Sequence, residues 1–156
     1  TDITSSPPTA APSPPASIVS EVKALVHAKV NGERAKVGLS PLRPDSFLEE
    51  LALEHSESMA RLNNFSHDRF GWRNVNYEQR PGTIRAENLA LTPVRRFRPG
   101  PLLSAEEIAA WTIEGWLNSP SHRETMLDRR LTLTGIAVVR TDDYFWITQD
   151  FEGPLG

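Results

Sequence analysis

Val19, Val22, Val26 and Val30 recur at three- and four-residue intervals with Leu25 beside them, so a single apolar stripe predicts a first helix. Gly38 follows where a helix end wants a residue free of Cβ strain. Leu39-Ser40-Pro41-Leu42-Arg43-Pro44 reads as a turn-rich connector. Ser46 and Glu49 then match the Ser-x-x-Glu capping box and predict a second helix from Ser46 to about Leu62. Its buried stripe is expected to run through Leu48, Leu51, Ala52, His55, Met59 and Leu62.

Residues 63–100 lose this periodicity. Gly71, Asn74, Asn76, Pro81, Gly82, Pro93, Pro99 and Gly100 punctuate them, leaving one short extended piece at 86–91. Ser104 with Glu107 is a second capping box, opening a third helix through Ile108, Trp111 and Leu117. Pro120 suits the first turn of a short fourth helix carrying His122, Met126 and Leu127. Two β-like runs, 133–140 and 144–151, flank Thr141-Asp142-Asp143 and predict a hairpin. Helices first and an antiparallel hairpin last give an α+β domain. Residues 1–17 are nearly all Pro, Ser, Thr and Ala and read as a disordered linker, which leaves 18–156 for the folded domain.

Composition removes several classes of function. Seventeen basic against 20 acidic side chains give a net charge of −3, the wrong balance for a protein that lives on nucleic-acid phosphates. The longest apolar runs are four residues, such as 136–139, where a membrane span needs about 20. Without cysteine there is no disulfide framework, thiolate zinc site or cysteine nucleophile. A Pro/Ser/Thr tract ahead of a domain suits a stalk in exported proteins. No leader is visible at Thr1; the composition of the tract sets the expectation of a secreted or cell-envelope chain, with a longer precursor left open.

The candidate chemistry rests on histidine. There is no Gly-rich phosphate loop, no His-Glu-x-x-His and no Gly-x-Ser-x-Gly. His27 lies one step off the first helix's stripe and reads as a boundary residue. His55 lies on the second helix's stripe and reads as a core ring with satisfied nitrogens. His67 sits just past a helix end, where sites are often displayed, and His122 sits in a first helical turn, whose positive end favours the neutral ring. Glu87 either points to solvent by strand alternation or turns toward these histidines. Trp72 and Tyr77 either rim a groove near His67 or pack partly buried.

At these residues the sequence resembles the CAP superfamily, the cysteine-rich secretory, antigen five and pathogenesis-related group one proteins, in a cysteine-free bacterial form. The matching pieces run in family order. They are Val30-Asn31-Gly32-Glu33-Arg34-Ala35-Lys36-Val37-Gly38-Leu39 with Pro41-Leu42, then 51–59, Phe65-Ser66-His67 and Glu87-Asn88-Leu89-Ala90. Trp116-Leu117-Asn118-Ser119-Pro120-Ser121-His122-Arg123, Gly135-Ile136-Ala137-Val138 and Thr148-Gln149-Asp150-Phe151 complete them. The resemblance implies a three-layer α-β-α sandwich around a small central antiparallel sheet. It also implies a cavity lined by His67, Glu87 and His122, with Asn88 beside them. The family's second acidic position, in Trp-x-x-Glu, falls here on Ser119.

Two functions follow as expectations. The first is a monomeric binding module for a lipid, peptide or cell-envelope ligand, lined by Ser119, Asn88, Trp72 and Tyr77. Such a module admits a divalent metal, zinc, on His67, His122 and Glu87. Arg95, Arg96 and Arg98 around Phe97 would then meet an anionic surface, or form a solvated basic loop. The alternative is a zinc-dependent hydrolase or peptidase using His67, Glu87 and His122, with Asp68 as a partner that orients His67. Ser119 is a poor base for that chemistry.

Overall fold

The computed structural model describes residues 17–68, 70, 80 and 82–155. Among these are four helices, α1 (Ile18–Lys36), α2 (Ser46–Leu62), α3 (Ala105–Leu117) and α4 (Pro120–Met126). Four strands accompany them: β1 (Arg43–Pro44), β2 (Thr83–Pro93), β3 (Leu133–Arg140) and β4 (Tyr144–Pro154). The strands lie in the order β1-β3-β4-β2. β2 and β3 both run antiparallel to β4, while the two-residue β1 joins β3 in parallel.

Strand alternation sorts the helices into layers. Leu89, Trp146 and Thr148 face α2, where Met59 packs on the two apolar side chains and Ser56 shares a 2.7 Å hydroxyl bond with Thr148. Ile136, Val138, Ile147 and Phe151 face the other way. There they pack with Val22, Val26 and Val30 of α1 and with Ile108, Ile113 and Trp116 of α3. The result is an α-β-α sandwich whose larger core lies on the α1–α3 side.

Local chemistry explains the helix ends. The Ser17 side chain caps α1 by accepting from the Ser20 N–H. Gly38, at φ +77°, takes the left-handed step that turns the chain out of it. Ser104 and Glu107 form the full capping box of α3. At α2 the sequence reading needs correction: the cap is Asp45, whose carboxylate accepts from the Leu48 N–H at 3.0 Å. Asp45 is extended after Pro44, so its side chain reaches the first turn before Ser46 can. Glu49 forms an ion pair with Lys23 instead. Leu62, expected on the buried stripe, is 60% exposed, because Asn63 in the left-handed conformation ends the helix at once.

The strands are longer than their sequence signal. β2 covers Thr83–Pro93 rather than 86–91, and β4 continues to Pro154, because the two pair residue for residue from Thr83↔Pro154 to Pro93↔Tyr144. Arg85, Glu87 and Asn88 hide the alternation, since all three are polar yet point into structured surroundings. β3 crosses under α2 at Gly135, where a Cβ would fall on the backbone of Leu48 and Glu49. The helix can lie that close only over glycine.

Candidate functional site

The site gathers at β2, where neighbouring residues serve opposite faces of the sheet. Glu87 shares the α2 face with Leu89 and stands directly across from Asp150 of β4. Asn88 points the other way, and its Nδ2 donates to the backbone carbonyl of His122 at 3.0 Å. One dipeptide therefore reaches the segment after α2 and the first turn of α4 together. The indole of Trp116 donates to the Leu89 carbonyl at 2.8 Å and fixes α3, which leads into α4, on the same strand.

His67 Nδ1 lies 3.0 Å from Glu87 Oε1. A carboxylate only accepts, so Nδ1 carries the proton of this bond. The Glu87 side chain is 1% exposed and the His67 side chain 53%, so the ring is held from beneath and open above. His122 is also held through Nδ1, which shares a 2.7 Å hydrogen bond with the Ser119 hydroxyl, a group able to donate or accept. Partial burial lowers the His122 pKa, and the nearby charge of His67 lowers it further. Burial thus favours the neutral form of His122.

His55 is buried on α2, as a core ring would be. Its Nε2 donates to the Ser66 carbonyl at 2.8 Å, and the same nitrogen lies 3.9 Å from Glu87 Oε1. It braces both the carboxylate and the residue before His67, a role its place on an apolar stripe concealed. Asp150 was visible in the sequence only as part of a strand motif, and it too is buried on the α2 face. Partial burial lowers the pKa of His27, which bonds Asn31 at 3.3 Å within α1.

The other expected residues divide. Ser119 and Asn88 meet His122, the first at its ring and the second at its backbone. Asp68 is exposed, with its backbone N–H on the Ser66 hydroxyl, and the ring of His67 goes to Glu87. Trp72 and Tyr77 lie outside the described residues. In the basic loop Phe97 is 71% exposed, Arg96 stacks over Trp111 at 5.2 Å and Arg98 pairs with Asp143.

Among the described residues no three His, Asp or Glu side chains group as a metal centre. The two rings expected to hold a metal are those of His67 and His122. Each ring is oriented through Nδ1 by an oxygen, as metal-binding imidazoles usually are. Glu87, expected with them as a ligand, hydrogen-bonds Nδ1 of His67.

The family model for cysteine-rich secretory proteins, CAP, matches residues 27–151. The chain belongs to the CAP family. The uncharacterized membrane protein YlbC of Bacillus subtilis (strain 168) is 33% identical over 127 residues, covering 76% of this chain and 30% of that protein. This CAP domain therefore spans less than a third of that relative. An extracellular SCP-domain protein of Bacillus anthracis is 25% identical with a TM-score of 0.62, over 89% of this chain and 44% of that one. An outer surface protein of Borrelia burgdorferi shares the CAP fold at a TM-score of 0.69 and 22% identity, over 87% of this chain and 95% of its own. No described helix here is long and apolar enough to cross a membrane.

Proposed function

We propose that this CAP domain is an exported, monomeric ligand-binding module whose cleft holds a divalent metal, zinc, between His67 and His122. The ligand taken there is a lipid, a peptide or a cell-envelope component. One observation carries the reading: both rings are anchored through Nδ1, to Glu87 at 3.0 Å and to Ser119 at 2.7 Å, and so present Nε2. Two imidazoles leave coordination positions for solvent or ligand. Bound there, zinc would supply Lewis acidity toward a ligand oxygen. Export is supported by the outer-surface and extracellular names of the structural neighbours and by the Pro/Ser/Thr tract of residues 1–17.

The hydrolytic alternative needs a proton acceptor at the cleft. The motif's second acidic position holds Ser119, whose hydroxyl is engaged with His122, so binding is the better-supported reading. Calorimetric titration of Zn²⁺ into the native chain, His67→Ala and His122→Ala tests it. Micromolar or tighter binding, about −8 kcal/mol, lost in both variants is the expected result. Absence of saturable binding in the native chain would end the metal reading.

A further inference from the structure

Beside the C-terminal end of α1, a pocket of about 610 Å³ is lined by Arg34, Ser40, Arg43, Arg129 and Thr132 together with apolar and glycine residues. No Asp or Glu contributes to its lining. In a chain with a net charge of −3, three guanidinium groups without an acid between them are a local inversion.

Arg34 forms the floor and is 1% exposed. Its donors go to four carbonyls, those of Ser40, Met126, Asp128 and Leu131, at 2.9–3.0 Å. Carbonyl oxygens satisfy the hydrogen bonds but carry only partial charge, so the full positive charge stays in the wall. The carboxylate whose charge reaches Arg34 belongs to Asp128, and it is already held by Arg130 at 2.8 and 3.1 Å. Lys36 is likewise engaged, by Glu33 at 2.7 Å.

Arg43 and Arg129 stand exposed at the rim, and among the described residues neither has an ion-pair partner. Their backbone spacing is fixed. The Arg43 N–H donates to the Thr132 carbonyl at 2.9 Å, and the turn that carries Arg129 closes through the Leu131 N–H on the Asp128 carbonyl at 3.2 Å. The hydroxyls of Ser40 and Thr132 add neutral donors between the cations.

We infer that this pocket binds a phosphate-class anion, a pyrophosphate or phosphodiester group, clasped by Arg43 and Arg129 over the charge of Arg34. Planar guanidinium groups on two sides suit a multiply charged oxyanion with several acceptor oxygens. The volume leaves room for more than a single phosphate group.

The test titrates pyrophosphate into the full chain at low salt, read by calorimetry and amide shifts. Saturable binding is expected, with shifts confined to 38–43 and 129–132 and weakening as salt is raised. Arg43→Ala and Arg129→Ala should each weaken it at least tenfold. Arg95→Ala, in the β2–α3 connection, should leave it unchanged, as should His67→Ala. Co-sedimentation with phosphatidylglycerol but not phosphatidylcholine vesicles, displaced by pyrophosphate, assigns a lipid head group; pyrophosphate binding without vesicle retention assigns a free phosphate. No saturable binding of pyrophosphate, or an equal loss in Arg95→Ala, overturns the inference. Arg34 is left in place because it also holds the corner together.

Discussion

His67 and Glu87 meet across a 3.0 Å hydrogen bond, although one follows α2 and the other lies in the middle of β2. The bond joins an almost fully buried carboxylate to a half-exposed ring. Burying a carboxylate costs several kcal/mol unless donors meet it, and here the Nδ1–H of His67 supplies one, with the ring of His55 3.9 Å away. The carboxylate thus fixes the orientation of a ring that is itself half exposed.

Glu87→Gln separates orientation from fold. The amide keeps a similar shape but loses the charge that strengthens the bond to Nδ1–H. Zinc affinity should fall about 10–100-fold, the usual cost of losing the group that orients a metal-binding imidazole. The far-UV spectrum should stay native. Unchanged affinity by calorimetry would mean that Glu87 does not act through His67.

Acidification should destabilise the domain through His122. Its pKa lies below the ordinary 6.5 in the folded chain, mainly from burial and further from the charge of His67. The unfolded chain therefore binds the proton first as the pH drops. The contribution is fully present above about 6.5 and is lost as the pH falls from there through the folded value. His27 acts in the same direction. The urea midpoint of the native chain should drop between pH 7 and pH 5.5, and less steeply in His122→Gln. Identical slopes would remove His122 as a source of the pH dependence.

Periodicity, with the capping boxes and the turn at 141–143, locates α1, α2, α3 and the β3–β4 hairpin, because in each the buried positions are apolar and the spacing is regular. It fell short at β2, whose inward positions include Arg85 and Glu87; polar residues paired with polar partners leave no hydrophobic trace. The α2 cap was assigned one residue late, since Asp45 and Ser46 are both good caps and only the extended backbone after Pro44 decides between them. His67, Glu87 and His122 came from motif resemblance rather than physics. Long-range pairing of β2 with β4 decides that Glu87 faces α2, and no local pattern encodes it. His55 misled in a different way, because a ring can be both core and support for a site.

Arg34 should prove costly to remove. Arg34→Ala strips the donors from four carbonyls that belong to the α1–β1 connection and to the stretch from α4 into β3. Each buried acceptor left unmet costs about 1–3 kcal/mol, although water entering the space will recover part of it. A net loss of about 3–5 kcal/mol is expected from urea denaturation. Arg34→Lys, with fewer donors on a single nitrogen, should recover only part of the loss. A cost under about 1 kcal/mol for Arg34→Ala would show that these carbonyls are met by water without penalty.

Two glycines should respond to alanine with opposite signs. On chain entropy alone Gly→Ala stabilises by about 0.4–1 kcal/mol wherever the backbone accepts it. Gly115, exposed in α3, has nothing within 4 Å of where its Cβ would stand, and a helix interior favours alanine by about 1 kcal/mol. Gly135 has no such space. Its Cβ would fall on the backbone at Leu48 and Glu49, in the first turn of α2, which Asp45 caps and Arg80 ties to Asp45 at 2.9 Å. Rigid backbone cannot yield as a side-chain tip does, so α2 must lift from the sheet and disturb Ser56–Thr148 as well. Gly115→Ala should raise the urea midpoint, and Gly135→Ala should cost about 3 kcal/mol. If both variants were stabilised, α2 would not lie on β3 as closely as the contact at Gly135 requires, and the placement of His55 beneath Glu87 would have to be redrawn with it.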